Sequence, residues 1–287
     1  MVASRLLGIN FSLTLHGSDL LLHAAYLDTK LENCKFCVTI SEYNHRYILQ
    51  QFRAVQPEKI IIARLGVEQT AGISLRQVPT GSNLNILAVG RLHAVKDHAF
   101  LIRACIQLRD HEIAFACAIA GEGPERPHLE SLIRKNNLEQ QVTLLGHVPP
   151  GGMDSLYRQA DLLVLTSRSE GLPLVLMEAM VRGRIVLAPA ITGIPEIVIP
   201  GKTGFLYSPG ELDEVVERIL FVRELLRAEK ENSAVSPLDW IRHAARMQIL
   251  QNFDRHNNLA FFAGHFLQRI AHETRSPSDE NSLLQQI

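Results

Sequence analysis

Residues 161–183 read DLLVLTSRSEGLPLVLMEAMVRG, which parses as an apolar strand, a polar turn carrying Glu170, and a helix whose one acidic residue is Glu178. From Leu172 to Val181 the segment is apolar almost all the way round, the pattern of a helix packed into an interior. An ionised glutamate there is costly unless something pairs with it or donates hydrogen bonds to it. A ligand rich in hydroxyls would do so. The turn also falls where an open α/β sheet takes its ligands, beyond the carboxyl end of a strand and facing the next helix. Free N–H groups and the helix dipole at that end suit a phosphate. Pro173 fits the first helical turn, which leaves the amides of Leu172, Leu174 and Val175 as donors. The competing reading makes Glu170 a solvated loop residue and Glu178 a salt-bridged helix residue.

Working outward, strands and helices alternate along most of the 287 residues, as in a parallel sheet covered by helices on both faces. Strands are expected at Phe11–Leu15, Phe36–Ile40 and Lys59–Ala63, and a turn-rich linker at 68–83. A complete doubly wound domain follows. Its strands are expected at Leu84–Val89, Ile113–Ala120, Gln141–Leu145, Asp161–Thr166 and Arg184–Ala188. Its helices are expected at Asp97–Arg109, Pro124–Asn136, from Met153, and at Leu172–Arg182. Helices at Leu212–Arg227, after Ser236-Pro237, and at Asn257–Ile270 complete the chain. The expected boundaries are a first unit at 1–75, a ligand-binding domain at 76–250, a C-terminal helix at 251–272 packing back on the first unit, and a flexible tail at 273–287.

A net charge of -1 and the lack of a basic run argue against a nucleic-acid partner. No apolar run approaches the about 18 residues of a membrane span. No secretory leader is visible at the start, so the expected location is the cytoplasm. Cys34 and Cys37 form a C-x-x-C, but no second pair completes a zinc set. The four cysteines read instead as small buried thiols.

Other chemistry-bearing residues stand at strand ends. Gly90-Arg91 follow one strand, and Lys96 precedes a helix that Asp97 can cap. A cation at that position opposes the helix dipole unless an anion lies between. Arg91 and Lys96 together would clamp a diphosphate, the arginine by its fork and the lysine as a point charge. Alternatively they are two solvated cations. Ala120-Gly-Glu-Gly-Pro124 invites a dinucleotide reading, but Arg126 stands where the fingerprint needs its third glycine. Gly201-Lys-Thr-Gly204 is too short for a P-loop. His16 ends another strand, ahead of Gly17-Ser18-Asp19, and by itself reads equally as a surface turn histidine.

Taken in order, these motifs resemble the retaining glycosyltransferases of family 4, which have the GT-B fold of two Rossmann-like domains. The likeness rests on Gly90-Arg91 with Lys96, AGEGPE from Ala120, LLGHV from Leu144, SEGLPLVLMEAM with its two glutamates, TGIPEIV from Thr192, GKTGFLY from Gly201, and LTLHGSD around His16. It covers about residues 10–270. HGSD and VTISEYN look most like bacterial enzymes of exopolysaccharide or surface-glycan synthesis.

The resemblance implies transfer of a sugar from a nucleoside diphosphate sugar, bound as co-substrate in an interdomain cleft, to a glycan or lipid-linked acceptor with retention of anomeric configuration. No metal and no resident cofactor are expected. Carried over, Arg91 and Lys96 hold the diphosphate beside Gly90, Glu178 holds the ribose, and Glu170 holds the transferred sugar. The amides of Leu172, Leu174 and Val175 assist, His147 and Val148 border the base, and His16 approaches the sugar. A lipid-linked acceptor allows peripheral contact with the inner face of the membrane. Asp97 stands where the family commonly has glycine after its lysine. The three early strands suggest a partial acceptor domain, short by about 100 residues on ordinary domain sizes, with a separate N-terminal half as a candidate partner. Two rivals are a nucleotide-sugar-binding module that is non-catalytic or is half of a split enzyme needing a separate N-terminal half for transfer, and a Rossmann oxidoreductase, the second lacking its glycine fingerprint.

Overall fold

The computed structural model describes residues 2–21, 25–69, 83–231 and 236–274. The expected linker and tail therefore lie mostly outside the described residues. The first unit comprises α1 (Val2–Leu7), β1 (Ser12–Leu15), α2 (Ser18–Leu21), α3 (Leu27–Asn33), β2 (Phe36–Thr39), α4 (Glu42–Gln51) and β3 (Ile60–Ile62). The second comprises β4 (Leu84–Val89), α5 (His98–Asp110), β5 (Phe115–Ala120), α6 (Arg126–Lys135), β6 (Val142–Gly146), α7 (Pro150–Gln159), β7 (Leu162–Val164), α8 (Leu174–Val181), β8 (Ile185–Pro189), α9 (Ile194–Ile197), β9 (Phe205–Tyr207), α10 (Leu212–Glu231) and α11 (Pro237–Asn252). Helix α12 (Arg255–Thr274) ends the described chain.

Among the described residues the first sheet has order β1-β2-β3 and the second β6-β5-β4-β7-β8-β9. Every pairing is parallel. This is the α/β, GT-B-like arrangement of two Rossmann-like units. In the second sheet the chain winds outward from β4 in one direction and from β7 in the other. The carboxyl ends of β4 and β7 therefore flank the topological switch point, the crevice where such sheets bind ligands.

Apolar runs explain why these strands are central. Strands β7 and β8 are buried at every position, as a sheet covered on both faces requires. Two cores sandwich the second sheet, one holding α5, α6 and α10 and the other α8 and α11. Helix α11 starts with the capping box that Ser236 and Pro237 foreshadow, Ser236 and Asp239 satisfying each other's backbone donors. Buried Glu229 anchors that helix through Arg242 at 2.6 Å.

Several boundaries differ from those read in the sequence. Pro173 is the N-cap of α8 with extended backbone (ψ 112°), so the helix starts at Leu174 rather than Leu172. The residue before a proline is kept out of helical geometry, which explains the later start. Pro124 likewise lies in a turn and α6 starts at Arg126. Strand β7 stops at Val164 because the chain then leaves the sheet, and Thr166 donates to the Lys96 carbonyl at 3.0 Å. Helices α1, α3 and α4 fill stretches where the apolar pattern is weak. All four cysteines are buried and free. Burial lifts the Cys37 thiol to about 12, so it stays protonated and unreactive.

The two units meet along two seams. At the first, Val67 and the 253–255 segment exchange backbone hydrogen bonds, Val67 N–H to Phe253 O at 3.0 Å and Arg255 N–H to Val67 O at 3.1 Å. Gly66 is required there, since a Cβ would lie 2.5 Å from the Phe253 carbonyl oxygen. Helix α12 then lies on the first sheet, Phe266 meeting Phe36 edge-on at 5.6 Å.

At the second seam the loops at the carboxyl ends of both sheets touch. A Cβ on Gly171 would come within 2.7 Å of the His16 carbonyl oxygen and 2.9 Å of Ile40 Cδ1. The Glu196 carboxylate crosses the same seam to accept from the first amides of α4, Glu42 N–H at 3.1 Å and Tyr43 N–H at 2.8 Å. An acidic group at a helix N-terminus is stabilising, so the TGIPE motif ties the two units together.

Candidate functional site

Four loops converge at the switch point. After β4, Gly90 and Arg91 lead into a single 3-10 turn, Ala94–Lys96. Asp97 then adopts the left-handed conformation (φ 45°), which aspartate tolerates better than most residues. It performs the turn that glycine commonly makes in the resembled family, and its carboxylate also caps α5 by accepting from Phe100 N–H at 3.2 Å. Arg168, after β7, pairs with that carboxylate at 2.7 Å, and its backbone N–H reaches Val95 O at 2.8 Å. The 90–97 loop is thus held in place by the turn that carries Glu170.

The glycines of AGEGPE serve the same loop. Gly121 and Gly123 pack so tightly on the backbone of Gly90 and Leu92 that a Cβ on either would collide with it. Their role is close approach of two strand ends rather than dinucleotide binding.

Lys96 Nζ lies 2.5 Å from Glu170 Oε1, with the two side chains 21% and 10% exposed. The expected cation is present, and Glu170 occupies it. Gly90 lies alongside, a Cβ there falling 3.5 Å from Lys96 Cδ. Arg91 is exposed at the rim. Beneath this loop His98 is buried, with the backbone of Gly90 and Arg91 against its ring. Burial lowers its pKa, with Lys96 adding to the effect.

Leu174 and Val175 supply first-turn amides of α8, which have no upstream carbonyl in the helix to bond. The Leu176 amide bonds to Pro173 O at 3.2 Å. Leu172 is buried ahead of the helix, so its amide belongs to the turn and not to the helix end. His16 has an exposed side chain, and its backbone N–H bonds to the Asp19 carboxylate at 3.1 Å. The buried side chain of Asn44 holds the His16 carbonyl at 2.7 Å, fixing that turn directly against Gly171.

Glu178 is half-buried and faces a cleft of about 830 Å³ between the units. His147, Val148 and Met153 form one side, while Arg64–Gln69 and the start of α12 form the other. Gly146 takes a left-handed conformation (φ 76°) that turns the chain at the end of β6. Within the protein Glu178 already has a partner, because the Tyr157 hydroxyl donates to Glu178 Oε2 at 2.6 Å. Arg182 lies over the Tyr157 ring at 5.1 Å and bonds to Asp154 at 3.0 Å. Neither a pure salt bridge nor an unsatisfied carboxylate describes Glu178.

Tyr157, Arg182 and Asp154 do not emerge as site residues from the sequence reading, and Glu196 appears there only within the TGIPEIV motif. A tyrosine one turn after Met153 on the apolar face of α7 was the available signal for the first. Among the described residues no three His, Cys, Asp or Glu side chains group as a metal-ligand set. No helix there is long and apolar enough to cross a membrane.

With this geometry in place, comparison with known proteins decides the family. Residues 77–235, more than half of the chain, match the family described as Glycosyl transferases group 1. The chain belongs to that family. Its curated relatives include WcaL of Salmonella typhimurium, named as a colanic acid biosynthesis glycosyltransferase, at 31% identity over 69% of this chain and 48% of the relative. The amylovoran biosynthesis glycosyltransferase AmsK of Erwinia amylovora is 30% identical over 69% of this chain and 48% of its own length. The chain therefore spans about half the length of the curated relatives it matches. The crystal structure of Anabaena HepE in complex with UDP and glucose superposes with a TM-score of 0.72 at 22% identity, covering 92% of this chain and 73% of HepE. That likeness establishes the GT-B fold.

Proposed function

We propose that this chain transfers a sugar from a nucleoside diphosphate sugar to a glycan or lipid-linked acceptor, with retention, in exopolysaccharide or surface-glycan synthesis. The observation that carries the reading is the convergence at one switch point of Gly90, Arg91, Lys96, Glu170 and the N-terminus of α8, beside the cleft that Glu178 faces. The names of WcaL and AmsK support the biosynthetic setting. The complex of HepE with UDP and glucose supports the donor class.

On this reading the diphosphate lies between Arg91, Lys96 and the amides of Leu174 and Val175, whose positive charge stabilises it without a metal ion. The ribose lies on Glu178 and the base against His147 and Val148. The bond from the sugar's anomeric carbon to the diphosphate oxygen breaks through an oxocarbenium-like centre, and Lys96 and Arg91 stabilise the charge gathering on that oxygen. The acceptor oxygen attacks the anomeric carbon from the same face, and its proton passes to the departing phosphate oxygen. Glu170, released from Lys96 by the incoming diphosphate, holds the sugar hydroxyls, and His16 borders the sugar from the first unit.

The test is to incubate the full chain with UDP-, GDP- and ADP-linked sugars and lipid-linked saccharide acceptors in excess chelator, and to assign the new linkage by NMR. Product with the donor's anomeric configuration is expected. An inverted product would overturn retention. No turnover and no nucleotide binding by the folded protein would overturn the whole reading.

A further inference from the structure

Tyr157 is 1% exposed at the base of the interunit cleft, yet its hydroxyl reaches the one carboxylate on α8. Phenols are buried where their O–H finds a partner, and here that partner is Glu178 Oε2 at 2.6 Å. Three further contacts fix the tyrosine and the carboxylate together. Arg182 covers the ring at 5.1 Å, its Nη1 donates to the Glu178 backbone carbonyl at 3.0 Å, and its Nε donates to Asp154 on α7 at 3.0 Å. Helices α7 and α8 are thereby tied around one carboxylate group.

Resting on the donor site proposed above, we propose that Tyr157 is a positioning residue for ribose recognition. Its hydroxyl holds one oxygen of Glu178 so that the other, Oε1, is presented in a single orientation to the vicinal hydroxyls of the nucleoside. A carboxylate with both oxygens free rotates about its last torsion, which is broad and roughly two-fold. With Oε2 occupied, the remaining lone pairs of Oε1 accept from both ribose hydroxyls in one geometry.

Burial, followed by the nearby Glu178 charge, raises the Tyr157 pKa, so the phenol keeps its proton and donates to the carboxylate. Asp154 is held below the usual carboxylate range by the Arg182 guanidinium, which keeps that tie ionic. The arrangement therefore provides a preorganised acceptor.

The experiment measures affinity by calorimetry for the best-bound of UDP, GDP and ADP and for its 2′-deoxy counterpart, in wild type, Tyr157→Phe, Glu178→Gln and the double variant. Phenylalanine keeps the ring beneath Arg182 and removes only the donor. Tyr157→Phe should weaken the ribonucleotide roughly 5- to 30-fold, less than a whole hydrogen bond to a charged group because the substitution removes only the orientation of Glu178. The 2′-deoxynucleotide should lose less than about threefold, and the substitution should add little in the Glu178→Gln background. With nucleotide sugar the change should appear in KM while kcat stays nearly constant.

Equal loss for both nucleotides, or no loss, would overturn the positioning role while leaving the donor site intact. Wild-type protein that binds neither nucleotide, or does not distinguish ribose from deoxyribose, would overturn the underlying reading of Glu178 and this inference with it. If Tyr157→Phe unfolds, Arg182→Lys serves, since it keeps the charge but loses the planar cover. It should give the same ribose-selective loss at smaller size, and an unselective loss would again refute the role.

Discussion

Changing Glu170 to glutamine removes the charge that now occupies Lys96 while keeping its shape. Lys96 Nζ and Glu170 Oε1 are 2.5 Å apart, and both side chains are mostly shielded from solvent. A diphosphate held by Lys96 must displace that carboxylate. Glutamine still accepts from the Lys96 ammonium but loses the ion-pair attraction, which for this mostly shielded pair is taken as about 1–1.5 kcal/mol, just above the range of exposed pairs. Glutamine therefore competes less well by about 1–1.5 kcal/mol, or roughly five- to tenfold in affinity. Loss of the repulsion between Glu170 and the diphosphate acts in the same direction.

The expected outcome is that UDP binds Glu170→Gln roughly five- to tenfold more tightly than wild type, whereas transfer from the sugar nucleotide falls because the contact to the sugar loses its charge. Calorimetry at fixed ionic strength measures the first effect, with GDP and ADP run alongside. In a Lys96→Ala background the gain should shrink to the part that comes from relieved repulsion, since no cation remains to compete for. Unchanged or weaker binding of all three nucleotides to a folded Glu170→Gln protein would refute the competition.

Two further outcomes follow from packing and protonation. Gly171→Ala forces a methyl against the His16 carbonyl and Ile40, so urea unfolding should show a loss of about 1–3 kcal/mol. Gly151→Ala, with open space around it on α7, should be neutral or stabilising by up to about 1 kcal/mol, and equal effects at both sites would contradict the seam. His98 has its folded pKa lowered by burial, so on acidification the unfolded chain takes up a proton before the folded one does. Stability is then fully present above the ordinary histidine value of about 6.5 and declines as pH falls below it. His98→Gln should flatten that part of the decline between pH 7 and 5.5, and an identical slope in both proteins would contradict it.

The fold was legible because largely apolar runs such as those within Leu84–Val89 and Arg184–Ala188 announce buried strands, and because Ser236-Pro237 announces a helix start. SEGLPLVLMEAM placed a strand end, a turn and a helix within two residues of their positions. Contacts between distant segments were not legible. Nothing near Glu178 in sequence identifies a tyrosine 21 residues earlier as its donor. Nor does TGIPE by itself indicate that Glu196 reaches a helix 153 residues away. Helices α1, α3 and α4 escaped for a related reason. They are short, and isolated short helices gain their stability from tertiary packing rather than from local propensity.

The central claim is that a nucleoside diphosphate lies across the switch point of the second sheet and reaches the Glu178 cleft. Amide hydrogen exchange of the full chain, with and without saturating UDP-, GDP- or ADP-sugar in excess chelator, tests it most directly. The account predicts that at least one donor protects residues 90–97, 146–148 and 172–178 together, and that Lys96→Ala weakens this protection. Binding that protects other segments and leaves these three unchanged would contradict it.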